Sequence, residues 1–251
     1  MWTDAIDLRD FYRTSLGRMA RRLIRRRLRA MWSDVHNLRI LGIGFTTPYL
    51  GTFRDEAERV LSVMPAPQGV IAWPDDSPGL CTLADEGELP LPDVAIDRVL
   101  LVHALECSDA ARPMLREIWR VLAEGGRLLI VVPNRRGIWA RIDFTPFGQG
   151  NPYSLAQISR LLRDNMFTPT SWSQALFAPP FRSRMLVASA PAWEEIGRRW
   201  FSVFGGVLVV EAQKQVYAAT AVPAFKRRRL YVPRAPALPA GSAGRRGQPS
   251  A

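Results

Sequence analysis

The sequence is poor in the residues that mark several common chemistries. It holds two cysteines and two histidines among 251 residues. Cys81 and Cys107 are not in Cys-x-x-Cys spacing and have no nearby histidine pair, which argues against a disulfide framework and a structural zinc site. No metal is expected, and both cysteines read as small hydrophobes. Lysine is confined to Lys214 and Lys226. Neither forms a Tyr-x-x-x-Lys arrangement, and Gly-x-Gly-x-x-G is missing, so a nicotinamide oxidoreductase is poorly supported. No apolar run approaches the roughly 18 residues of a membrane span, and the N-terminus lacks the apolar region of a secretory signal. A cytoplasmic protein is expected.

A net positive charge is missing from the middle of the chain, although the whole carries +11. Residues 1–32 hold nine arginines against Asp4, Asp7 and Asp10, while residues 223–251 hold seven basic residues and no acid. The segment between them is slightly acidic. A basic nucleic-acid groove keeps its excess charge on the folded domain, so no specific nucleic acid is expected. The basic ends leave open a weak contact with a membrane surface or an anionic partner. Three regions follow: a basic amphipathic helix over 1–32, a main domain over 33–222, and a Pro/Ala/Gly/Arg-rich tail over 223–251 that composition predicts to be disordered.

Nearly half of the residues are hydrophobic, enough to bury one core. Leu16, Met19, Ala20, Leu23, Ile24, Leu28 and Met31 recur at helical spacing between arginines. Phe11 and Tyr12, just before them, either reach over a neighbouring pocket or close the core. The stretch Leu38 to Gly51 reads as a strand, a turn at Gly42 and Gly44, and a helix entered through Thr46, Thr47 and Pro48 and running to about Ala57. Such a strand–turn–helix offers backbone N–H groups and a helix dipole to a ligand above the strand end. A second strand follows at Val60 to Met64, then an irregular stretch over 65–79 that contains Trp73, read either as a base-stacking side chain or as a cover for the sheet.

From Cys81 the pattern sharpens into strand, acidic loop, strand, helix, glycine turn and strand. The strands Arg98 to Val102 and Arg127 to Val132 are almost wholly apolar. The helix between them carries Leu115, Ile118, Trp119 and Leu122 on one face and stops at Gly125 and Gly126. Aliphatic strands alternating with helices are buried on both faces, which predicts a parallel sheet in a doubly wound α/β domain. Beyond Asn134, residues 135–153 suit either an aromatic lid or a packed irregular connection. Ser154 and Gln157 form a capping-box spacing before a helix. A strand at Ser171 to Phe177, a helix at Trp193 to Phe201 and a more exposed strand at Gly206 to Tyr217 complete the reading.

The run Asp85-Glu86-Gly87-Glu88-Leu89-Pro90-Leu91-Pro92-Asp93, then Ile96-Asp97, His103-Ala104-Leu105-Glu106 and REIWRVLAEGGRLLIVVPN resembles the class I S-adenosylmethionine-dependent methyltransferases. It is most similar to the type 11 subgroup that includes the ubiquinone and menaquinone biosynthesis enzymes. The resemblance covers about residues 38 to 167 and implies a mainly parallel seven-stranded sheet of Rossmann-like methyltransferase fold, with S-adenosylmethionine as cofactor. It implies that Asp85 meets the adenine amino group, that Glu86 offers its backbone N–H to the ring, and that Gly42 and Gly44 lie under the methionine part. It further places His103 facing cofactor and acceptor. His103 is then the first candidate for a catalytic base and Glu106 the second.

The departures from that pattern are specific. Gly42 stands where the family has an acidic residue, Thr46 and Pro48 stand where it has glycines, and Met64 replaces the carboxylate that would take the ribose hydroxyls. A hydrogen bond to a charged group contributes about 1.5–3 kcal/mol. Two readings therefore remain: a methyltransferase acting on a small-molecule acceptor, or an inactive methyltransferase-like binding or regulatory module.

Overall fold

The computed structural model describes residues 2–74, 78–181, 190–200 and 204–216. The chain opens with two helices rather than one, α1 (Ala5–Arg13) and α2 (Ser15–Met31). The break falls at Thr14, whose side chain accepts from the backbone N–H of Gly17 and caps α2. Gly17 is required there, since a Cβ would lie 2.0 Å from the carbonyl oxygen of Phe11. Leu16, Met19, Ala20, Leu23, Ile24 and Leu28 are buried as the spacing predicts, and the helix packs onto the domain as part of its main hydrophobic cluster. Burying each large aliphatic side chain contributes about 1.5–3 kcal/mol, more than the arginine repulsion on the outer face can remove.

Next come β1 (Arg39–Gly44), α3 (Thr47–Leu50), β2 (Arg59–Pro65), β3 (Cys81–Ala84), β4 (Ile96–Val102), α4 (Ala111–Val121), β5 (Leu122–Pro133), α5 (Leu155–Asp164), β6 (Phe167–Ala175), α6 (Ala190–Trp200) and β7 (Val207–Lys214). The strands form one seven-stranded sheet in the order β3-β2-β1-β4-β5-β7-β6. Pairing is parallel from β3 through β5, and β7 runs antiparallel to both β5 and β6. A hydrophobic cluster covers each face, one built with α1 and α2 and the other with α4 and α5. The expected doubly wound, mainly parallel architecture is therefore the observed one.

Three local expectations differ. The helix after β1 ends at Leu50 instead of running to Ala57, because Gly51 follows and the chain turns, with Phe53 N–H bonded to the Leu50 carbonyl. Leu122 is not a helix residue but the first residue of β5, opposite Ile96, so Gly125 (φ +73°) and Gly126 bend a strand rather than end a helix. The strand expected to be more exposed, β7, lies second from the edge, with Glu211 buried. The tail over 223–251 lies outside the described residues.

Candidate functional site

In an open α/β sheet the ligand crevice lies beyond the carboxyl ends of the strands, where successive connections run to opposite sides. Here that point is between β1 and β4, flanked by the end of β2. All the candidates named from sequence except Gly42 lie at or just beyond strand ends in this region.

Gly44 closes β1 at φ +84°, and a Cβ there would lie 2.4 Å from the carbonyl oxygen of Val102. Gly42 is one full pleat earlier, and its missing Cβ is replaced by the side chain of Thr46, whose Oγ1 would sit 2.1 Å from it. Thr46 is fully buried and also meets Ser62 Oγ at 3.3 Å. Met64 is fully buried near the end of β2, within the hydrophobic cluster on the α1 and α2 side.

His103 follows β4 in a left-handed conformation (φ +51°) that turns its ring into the protein. Its Nε2 is 2.8 Å from Tyr12 Oη, and its Nδ1 is 3.4 Å from Glu106 Oε1. Tyr12 Oη also meets Tyr49 Oη at 2.8 Å. Burial pushes the Tyr12 hydroxyl well above its usual pKa, and neighbouring Tyr49 adds to the shift, so Tyr12 stays protonated. His103 and Glu106 are thus brought together, both 1% exposed, and Glu106 Oε2 has no partner among the described residues. Phe147 packs against the His103 ring with centroids 4.9 Å apart, and Trp139 packs against Phe147. The connection over 135–153 is packed here rather than open as an aromatic lid.

The acidic turn after β3 is divided. Asp85 is exposed, and its Oδ1 accepts from the backbone N–H of Gly87 at 2.7 Å. Glu86 turns inward, with Oε1 accepting from the Ser108 hydroxyl at 2.5 Å and Oε2 unpartnered. Burial raises the Glu86 carboxyl above its usual range.

Two site residues escaped the sequence reading. Tyr12 was singled out only as one of two aromatics before the arginine helix. Gln68 carried no signal at all: it ends the short 3-10 turn Ala66–Gln68 after β2, is fully buried, and donates Nε2 to the carbonyl oxygen of His103 at 2.8 Å. Its Oε1 has no partner among the described residues. Elsewhere, Asp34, His36 and Glu56 bring possible ligand atoms within 4.8 Å of one another, but Arg29 holds Glu56 and Asp34 holds His36 Nδ1.

Residues 41–130 match the profile of a methyltransferase domain family. No curated protein sequence matches the chain. Among solved structures, an S-adenosylmethionine-dependent methyltransferase of Thermotoga maritima, described as a possible histamine N-methyltransferase, is similar at 16% identity and a TM-score of 0.55, covering 82% of this chain and 94% of its own. A second, from Mesorhizobium loti, is 17% identical with a TM-score of 0.54, covering 75% and 96%. The [4+2]-cyclase SpnF is 22% identical with a TM-score of 0.53, covering 76% and 82%. The fold is therefore the Rossmann-like methyltransferase fold, and the cofactor that the matched domain implies is S-adenosylmethionine. No helix among the described residues is long and apolar enough to cross a membrane.

Among the described residues, the switch point is lined by buried side chains. The side chains of Thr46, Met64, Gln68 and Tyr49 are fully buried around the switch point, Tyr12 is 5% exposed, and Gln68 bridges from the end of β2 to the end of β4. The His103 carbonyl at the end of β4 is thereby paired with a side chain of this chain.

Proposed function

We propose that the chain is an S-adenosylmethionine-dependent methyltransferase for a small-molecule acceptor, seen here with its crevice closed. The observation that carries this reading is the extent of the domain match: residues 41–130 contain the carboxyl ends of β1, β2, β3 and β4, whose convergence defines the crevice. In this reading Asp85 and Glu86 serve the adenine side, and Gly42 and Gly44 lie beneath the methionine side. Met64 adds apolar contact where the family has a carboxylate. His103, with Glu106 behind it, holds a proton from the acceptor at Nε2 once Tyr12 has left that nitrogen. The type 11 subgroup of quinone biosynthesis enzymes remains part of this proposal, as does a cytoplasmic location. The exposed face of α2, with Arg18, Arg21, Arg22, Arg25 and Arg26, is assigned a weak contact with an anionic partner.

A ligand that binds only the native state raises its melting temperature in proportion to ln(1 + [L]/Kd). S-adenosylmethionine or S-adenosylhomocysteine should therefore stabilise the protein, and Asp85→Ala should reduce the shift while NAD gives none. No shift at millimolar ligand rejects the reading.

Buried Met64 and the Thr46 side chain beneath the turn favour a second reading, a methyltransferase-like module without catalysis. The same fold carries a different chemistry in SpnF, so the fold by itself does not decide. Binding of S-adenosylhomocysteine without turnover across acceptor classes would favour the module.

A further inference from the structure

We propose that Gln68 and Tyr12 form a resident plug in the switch-point crevice, and that any ligand enters by displacing both. The inference rests on the proposed function for the identity of that ligand, but the plug itself is argued from geometry alone.

Gln68 belongs to the chain after β2, yet its amide reaches the carbonyl of His103 after β4, passing the end of β1 that lies between them. Ordinary core packing explains this poorly. A buried amide oxygen without a partner forfeits its hydration with nothing in return, and Gln68 Oε1 is one among the described residues. An apolar side chain would fill the same volume without that penalty. What the amide supplies is an N–H group for the His103 carbonyl, the donor a ligand would otherwise bring to a buried strand end.

Tyr12 closes the other side. It comes from α1, stacks on Phe45 with an interplanar angle of 10°, and bonds Tyr49 and His103. The outer side of the same ring lines an open basin of about 400 Å³ whose walls include Arg9, Arg13, Arg21, Phe45 and Trp73. Tyr12 is therefore the partition between that basin and His103. Moving it exposes His103 to the basin, which becomes the entrance.

Three hydrogen bonds and the packing of the Tyr12 ring hold the plug, so the open form is the minor member of an equilibrium. The apparent Kd of a ligand that needs the open form is its intrinsic Kd divided by the open fraction. Variants that weaken the plug must tighten binding. Cys107 supplies a reporter that needs no ligand: it is buried in the turn after His103, the backbone N–H of Thr3, just ahead of α1, hydrogen-bonds its thiol, and burial pushes its pKa up to about 12. Release of α1 should uncover it.

The test compares Gln68→Ala and Tyr12→Phe with the parent in a Cys81→Ser background. Tyr12→Phe keeps the ring and loses both hydroxyl bonds, which guards against simple misfolding. Iodoacetamide labelling of Cys107 should accelerate several-fold in both variants without ligand, and S-adenosylhomocysteine should bind Gln68→Ala about tenfold more tightly. Parental labelling rates and parental affinity in both variants overturn the plug and leave the methyltransferase reading standing. Failure of all three proteins to bind S-adenosylhomocysteine rejects the methyltransferase reading and, with it, the plug as a guard against that cofactor.

Discussion

Trp32 donates its indole N–H to Glu211 Oε1 across 3.1 Å, tying the end of α2 to the middle of β7. The same carboxylate accepts from Thr170 Oγ1 at 3.1 Å and Ser171 Oγ at 3.3 Å, and Arg127 lies 3.4 Å away. Glu211 is 4% exposed, so these four partners take the place of water around its side chain. Glu211→Ala should cost about 3 kcal/mol in urea unfolding, since it leaves their polar groups without an acceptor. A loss below about 1 kcal/mol would mean that water satisfies them instead.

Asp97 accepts Arg39 Nε at 2.9 Å, Nη2 at 3.1 Å and the Arg39 backbone N–H at 2.9 Å. Burial favours the neutral acid, but these bonds outweigh it and the carboxyl lies below its usual pKa. A lowered folded pKa gives stability that is present above the unfolded value of about 3.9 and is lost as pH falls through the folded value. Asp97→Asn should therefore lose about 1–2 kcal/mol near neutral pH and progressively less as pH falls below about 3.9. A loss that does not shrink with falling pH would remove the ion pair as the cause.

Glu86 has the opposite sign. Its folded pKa is raised, chiefly by burial, so its contribution is present below the unfolded value of about 4.3 and declines as pH rises through the folded one. Glu86→Gln should raise the melting temperature at neutral pH and leave it unchanged near pH 4. A lower melting temperature at neutral pH would show that the Ser108 bond prefers the charged form.

Gly44 combines a left-handed backbone with a contact 2.4 Å from the Val102 carbonyl for any added Cβ. Gly44→Ala should destabilise by about 3 kcal/mol or more through strain and displacement of β4 from β1. Thermal unfolding would measure it, and a near-neutral result would show that the strand end can shift at little cost.

The sheet was legible where local pattern sufficed. The apolar runs of β4 and β5 and the helix between them announce strands covered on both faces. Glu211 was misleading because polar alternation resembles an exposed strand. Only Trp32, Arg127, Thr170 and Ser171, drawn from the end of a helix and the two neighbouring strands, make its burial tolerable. Gln68 sits in a proline- and glycine-rich stretch with no periodicity, and its partner lies 35 residues away. Tyr12 meets His103 across 91 residues. A single sequence does not encode such pairings in any local signal, so the closing of the crevice became visible only in three dimensions.

The position of β7 between β5 and β6 sets the order in which the sheet can be completed. Every earlier strand from β1 to β5 finds a neighbour already synthesised or close behind it, whereas β6 pairs with β7 alone. During synthesis β6 waits for roughly 40 further residues, a few seconds at about 5–20 residues per second. Through that interval β5 presents a bare, strongly apolar edge. Chaperone dependence and aggregation of the nascent chain should therefore be greatest in fragments that end before Val207 and should fall sharply once Lys214 has emerged.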